Sequence, residues 1–212
     1  MGTRNLTIII HKGKNVVAQY GQWDGYPNGQ GKKALAFCRT IAKSDARKKF
    51  IKKLSRCRWA TDVEIKAAQN KVGIIDDWMN LDQAEQLNKL LPYLSRDNGA
   101  AVLDMIMKSK RKDGDVLLTD STEFAADSVF CEWAYVIDLD NRKLEVYKGF
   151  NVSPLPKGER FQYLTDTVDQ PDHRKGKSRE YWPVRHVMTY SFGKLPKFEK
   201  FVEECSPSED EE

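Results

Sequence analysis

Residues 3–31 constrain the rest of the chain more than any other stretch. Leu6, Ile8 and Ile10 alternate with Thr7, Ile9 and His11, the two-residue period of a strand with one buried face. Ile9 makes the second face partly apolar, so both faces of the resulting sheet call for cover. Lys12-Gly13-Lys14-Asn15 supplies a tight turn in which Gly13 takes positive φ without steric cost. The chain returns through residues 16–20, and a glycine-rich loop at 20–31 then leads into the first helix.

Amphipathic periodicity takes over downstream. Residues 32–43 place Ala34, Phe37, Cys38 and Ile41 on one helical stripe. Ser44-Asp45 reads as the N-cap of a second helix running to about Cys57, with Phe50, Leu54 and Cys57 inward. Its other faces carry Arg47, Lys48, Lys49, Lys52, Lys53 and Arg56, the densest basic surface in the chain. Thr61-Asp-Val-Glu64 has the form of a capping box. Asn80 or Asp82 opens a further helix with Ala84, Leu87, Leu91 and Leu94 in phase, which Pro92 kinks or ends. Asn98 starts another through Val102, Met105 and Ile106. This helical segment, about 32–108, separates the first hairpin from the next strands.

The second hairpin joins residues 130–139 to 144–148 through Asp140-Asn141-Arg142, with a short strand at 116–118 before it. Residues 151–183, rich in proline, glycine and charge, read as an extended loop. Residues 185–192 alternate as a further strand, and residues 196–204 fit a terminal helix carrying Phe198, Phe201 and Val202. The expectation is one domain over residues 1–204 and an acidic disordered tail at 205–212, with Ser206 and Ser208 as phosphorylation candidates.

Charge and cysteine usage narrow the functional classes. Net charge is +4, yet six of the 31 acids lie in the last ten residues. The remaining 25 acids face 35 bases, a body of +10. A basic body with an acidic tail suits an acidic partner, and nucleic acid through Arg47, Lys48, Lys52 and Lys53 is one reading, against a solvated surface. With 40% hydrophobic and 31% charged residues and no apolar run near 20 residues, the expected location is cytoplasmic with no membrane partner. Cys38, Cys57, Cys131 and Cys205 form no C-x-x-C pair and read as free thiols. His11, His173 and His186 lack ligand spacing, so neither a metal nor a cofactor is expected.

Strand parity supplies the site hypothesis. Arg4 shares its face with Leu6, Ile8 and Ile10, and Glu132 shares its face with Ala134 and Val136. If the hairpins lie side by side, these charges meet at the mouth of a core, where they either pair or reach water. In the loop, four glycines precede a helix N-terminus that favours an anion. Gln19, Tyr20, Gln22, Trp23, Asp24 and Tyr26 add hydrogen-bonding and stacking groups. A structural role, turning the chain from sheet to helix, is the alternative.

Two resemblances bear on these motifs. GTRNL, AQYGQWDGYPNGQG and FCEWAYVIDLDNRKLEVYKGF resemble hallmark segments of a family of uncharacterised proteins met in phage and bacterial genomes and in fungi. The likeness covers about a third of the chain and implies a shared fold without an activity. The opening also resembles proteasome-type N-terminal nucleophile hydrolases, which implies a four-layer αββα sandwich with mostly antiparallel sheets. Under that likeness Thr3 falls at the nucleophile. Gln19 stands where that family carries a supporting aspartate, and Leu35 where its lysine belongs, with Lys32 and Lys33 close by. Thr3 would also need removal of Met1 and Gly2. The expectation is therefore a non-enzymatic binding or host-interaction protein, contacting a protein or a small anionic ligand. The alternatives are an amide hydrolase using Thr3, or Cys131 with Glu132 beside it, and a nucleic-acid binder.

Overall fold

The computed structural model describes residues 2–74, 78–165 and 181–206. His173, Ser208 and most of the expected acidic tail lie outside them, as does the middle of the 151–183 loop. Among the described residues the chain is mixed α/β, with strands β1 (Asn5–His11), β2 (Lys14–Gly21), β3 (Cys57–Trp59), β4 (Val116–Leu118), β5 (Trp133–Asp138), β6 (Lys143–Lys148) and β7 (Arg185–Ser191). The helices are α1 (Lys32–Ala42), α2 (Ser44–Leu54), α3 (Asp62–Lys71), α4 (Leu81–Leu90), α5 (Ala101–Lys108) and α6 (Phe198–Cys205).

Five strands make one sheet in the order β2-β1-β5-β6-β7. Both hairpins form as their alternation demands, and they join through a parallel pairing in which Asn5 lies opposite Trp133 and Ile10 opposite Asp138. The β1–β2 turn is the two-residue kind, Lys12 and Gly13 both having positive φ (55° and 69°), which matches the twist of the flanking strands. Asp140, on the neighbouring hairpin, accepts the N–H groups of Lys12 and Gly13 at 2.9 Å each and so ties the two tips together.

Parity divides the core in two. On one face Ile9, Val17, Tyr135, Ile137, Leu144 and Val146 pack against α1, α2, α5 and α6. On the other, Leu6, Ile8, Ile10, Ala134 and Val136 are covered by Ala125, Ala126, Leu155, Phe161, Leu164 and Val184, from short 3₁₀ turns and connecting segments. A four-layer sandwich needs a second large sheet stacked on the first. Among the described residues the remaining strands, β3 and β4, form a short parallel pair, and the chain after β4 makes one isolated bridge, Asp120 to Ala18, at the outer edge of β2.

Two helix expectations shift. The second helix ends at Leu54 rather than Cys57, because Cys57 opens β3 opposite Val116, and its N-cap is Lys43 rather than Ser44. In α4 the anticipated apolar stripe exists, but none of its residues is buried. The Thr61–Glu64 capping box forms, and Asn80 with Gln83 makes a second one.

Candidate functional site

At the end of the sheet where β1 and β5 begin, the chain brings together most of the residues singled out above. The Arg4 backbone N–H donates to Glu132 Oε1 at 3.2 Å, so the two strand ends are joined, though through the main chain rather than an ion pair. The Arg4 guanidinium instead lies 4.5 Å from the centroid of the Phe130 ring, a cation–π stack. The next turn of the chain, at Gly149 and Phe150, closes this end: Gly149 N–H bonds Glu132 O at 2.8 Å and Phe150 N–H bonds Ser128 O at 2.7 Å.

The Gly-Trp loop is bound tightly to the protein. Asn5 Nδ2 donates to Gly21 O and Trp23 O at 3.1 and 3.2 Å. Gln30 Nε2 reaches Trp23 O at 3.2 Å while its Oε1 accepts the Ala100 N–H at 2.9 Å. Tyr20 Oη donates to Gln22 Oε1 at 2.5 Å, and its ring meets Phe124 edge-on at 4.9 Å between centroids. Gln19, buried, gives both amide protons away, to Tyr20 O and Ser95 O. Asp24 adopts positive φ (59°) and its carbonyl accepts the Gln30 N–H at 2.8 Å.

These bonds bear on the anion expectation. Pro27–Gly31 is a π-helical turn running straight into α1, so the loop's donors point inward. Gly29 and Gly31 bond Tyr26 O and Gln30 bonds Asp24 O, so these three donors of the turn are taken up within the loop. The loop presents two aromatics to solvent beside exposed Asp24 and Asn28: Trp23 is 49% exposed and Tyr26 51%, at the same sheet end as Phe130 (48%) and Phe150 (54%). Trp23 is oriented by its own Nε1, which donates to Asp97 Oδ1 at 2.9 Å.

The nucleophile candidates sit differently. Thr3 is only 8% exposed, and its carbonyl accepts the Gly25 N–H at 2.9 Å. Leu35 is fully buried in the helix-side core, and the Lys32 ammonium lies 4.4 Å from the Phe198 ring centroid. Cys131 is completely buried, and burial pushes its thiol well above the usual range, with Asp127 and Glu132 adding to the effect. A thiol so held stays protonated and packs as a small apolar group.

The basic helix is likewise partly structural. Arg47 Nη1 donates to Ile41 O and Ala42 O at 3.0 Å each, capping α1. Lys53 bonds Ser109 O and Arg56 bonds Gly114 O. Lys48, Lys49 and Lys52 are left as the exposed cations of α2. Among the described residues no cluster of His, Cys, Asp and Glu is placed to hold a metal, and no helix is long and apolar enough to cross a membrane.

A second polar centre escapes sequence reasoning. At the far end of β5 and β6, Arg160 bonds Glu145 through Nε (2.6 Å) and Nη2 (3.0 Å) and reaches Asp138 Oδ2 at 3.3 Å. Lys143 Nζ lies 2.7 Å from Glu145 Oε1, and Tyr147 Oη donates to Oε2 at 2.9 Å. Burial would raise the Glu145 carboxyl, but the bonds from Arg160 and Lys143 outweigh it and hold it at about 2. Cavities of about 440 and 540 Å³ flank Arg160. Only the alternation of Glu145 and Tyr147 with apolar Leu144 and Val146 hinted at it; nothing local marks Arg160 as the counter-charge.

Comparison with protein-family models, with curated proteins and with solved structures gives no match to this chain.

Proposed function

We propose that the chain is a binding protein rather than a hydrolase, and that the sheet end formed by the Gly-Trp loop and the Arg4–Phe130 stack receives its partner. The observation that carries this reading is the company of four half-exposed aromatic rings, Trp23, Tyr26, Phe130 and Phe150, beside a guanidinium, on backbone fixed by many hydrogen bonds. Rigid aromatics and arginine are the residue types that dominate binding energy at protein interfaces, and they lose little conformational entropy when covered. Glu132 and Asp97, beside the stack and the indole, supply acceptors that give such a contact direction. The suggestion that the partner is a host protein rests on the likeness of the motifs to the phage and bacterial family.

The test is capture from a cell lysate with the wild-type chain and with Trp23→Ala and Phe130→Ala. Both variants should keep the wild-type melting temperature within a few degrees and lose the captured partner. Unchanged capture by both would reject the surface.

The N-terminal nucleophile reading, fold and activity alike, draws its support only from the likeness of the opening residues. Buried Thr3, acylated by Gly2 in this chain, and the burial of Leu35 weigh against it. Intact mass decides this point: a chain that retains Gly2 has no free Thr3 amine.

A further inference from the structure

We propose that the outer edge of β7, with the groove between it and α6, takes up an extended peptide carrying acidic side chains as a sixth strand of the sheet. The two edges of the sheet are treated differently. Beyond β2, the Ser121 N–H bonds Ala18 O at 3.0 Å, Asp120 bridges Ala18, and Asn15 holds Thr122 at 3.1 Å, so that edge is covered. Beyond residues 188–191 of β7, no described residue pairs with the strand, and β6 is its one neighbour among the described residues.

The register says which groups are open. Phe192 N–H donates to Arg142 O at 2.9 Å, and the pairing continues with Tyr190 opposite Leu144 and Met188 opposite Val146. Antiparallel pairs alternate between hydrogen-bonded and open, so the backbone groups of Thr189 and Ser191 turn away from β6. Both residues are exposed. A register shift between Val146 and Tyr147 ends the regular edge at Met188, which limits an added strand to about four residues.

Directly alongside lies a groove of about 490 Å³, lined by Met188, Tyr190, Leu195, Pro196, Lys194 and Lys200 among others. A strand edge beside a helix-walled groove is the arrangement by which extended peptides add to a sheet: main-chain bonds hold the peptide and alternate side chains enter the groove. Charge selects the occupant. The one carboxylate in the lining, Glu204, is engaged by the Tyr190 hydroxyl at 2.8 Å and by Lys200 at 3.4 Å, while Lys194 has no ion pair among the described residues. Among the described residues the groove therefore offers a cation without an ion pair, which an acidic side chain would complement.

The probe is the synthetic peptide acetyl-Glu-Val-Thr-Val-Glu-Val-amide, titrated into the ¹⁵N-labelled full chain. Saturable shifts and slowed exchange at the Thr189 and Ser191 amides are expected. Thr189→Pro removes one outward donor and should weaken binding about tenfold, with Lys194→Glu also weaker than wild type. Should Thr189→Pro fail to fold, the same peptide N-methylated at alternate residues makes the test on the wild-type chain, and it should not bind. Amides unmoved at millimolar peptide, equal binding of the N-methylated peptide, or β7 edges already paired in a dimer of this chain would each overturn the proposal.

Discussion

Arg160 sits between two carboxylates that the sheet has drawn out of water, and its guanidinium planarity lets it take Glu145 bidentately while touching Asp138. Removing it leaves a buried carboxylate whose remaining partners among the described residues are Lys143 and Tyr147. Arg160→Met should therefore cost about 3–5 kcal/mol, on the order of 10 °C in melting temperature for a chain this long, read by thermal unfolding at neutral pH. The sign of the pH dependence follows from the depressed carboxyl. Glu145 falls from 4.5 to about 2 in the folded state, so its stabilisation is present above pH 4.5 and drains away as pH drops toward 2. The gap between wild type and Arg160→Met in urea midpoint should accordingly narrow over that interval. A constant gap would mean Arg160 acts by packing alone.

The Gly-Trp loop shows why an element's role depends on where its backbone groups go. Its glycines serve close approach: a Cβ on Gly31 would stand 2.8 Å from the Tyr135 hydroxyl, which itself donates to Gly25 O at 2.8 Å. Tyr135 is wholly buried and cannot swing aside. Gly31→Ala is expected to destabilise by about 1–3 kcal/mol, and Tyr135→Leu, which removes the hydroxyl together with the ring carbons that would stand 2.9 Å from that Cβ, should make the double variant less costly than the sum of the two singles. Additive costs in denaturant unfolding would show that the strain lies elsewhere. The basic helix α2 makes the same point from the other direction: residues counted as a cationic surface, Arg47, Lys53 and Arg56, are partly consumed as caps for carbonyls of α1 and neighbouring turns. Binding to random DNA should correspondingly depend on Lys48, Lys49 and Lys52, with a salt slope of no more than about three phosphate contacts. A steeper slope would require cations from outside α2.

At the scale of the molecule, one sheet divides the interior into a helical core and a turn-covered core, and the four thiols are distributed through it. Cys38, Cys131 and Cys205 are buried and Cys57 is partly so, with burial raising its thiol to about 12. An aromatic disulfide reagent should find at most slow reaction in the native chain and four thiols after unfolding; rapid native reaction at more than one site would contradict this packing. The hairpins, the capping box at Thr61 and the amphipathic stripes of α1 and α5 were legible because turn chemistry and side-chain period act within a few residues. Strand parity at Arg4 and Glu132 also put both on one face. The end of α2, the pairing of Cys57 with Val116, the inward-turned donors of the loop and the joining of Glu145 to Arg160 were not legible, since each depends on a partner distant in sequence or on the path of the intervening backbone. Local sequence thus determined the two hairpins and the amphipathic helices, and which side of each seeks cover, though not the short strand β3. Only the tertiary structure decided which segments supply that cover, because burying a polar or charged group is tolerable only beside a specific counterpart, and that counterpart is chosen by packing in three dimensions.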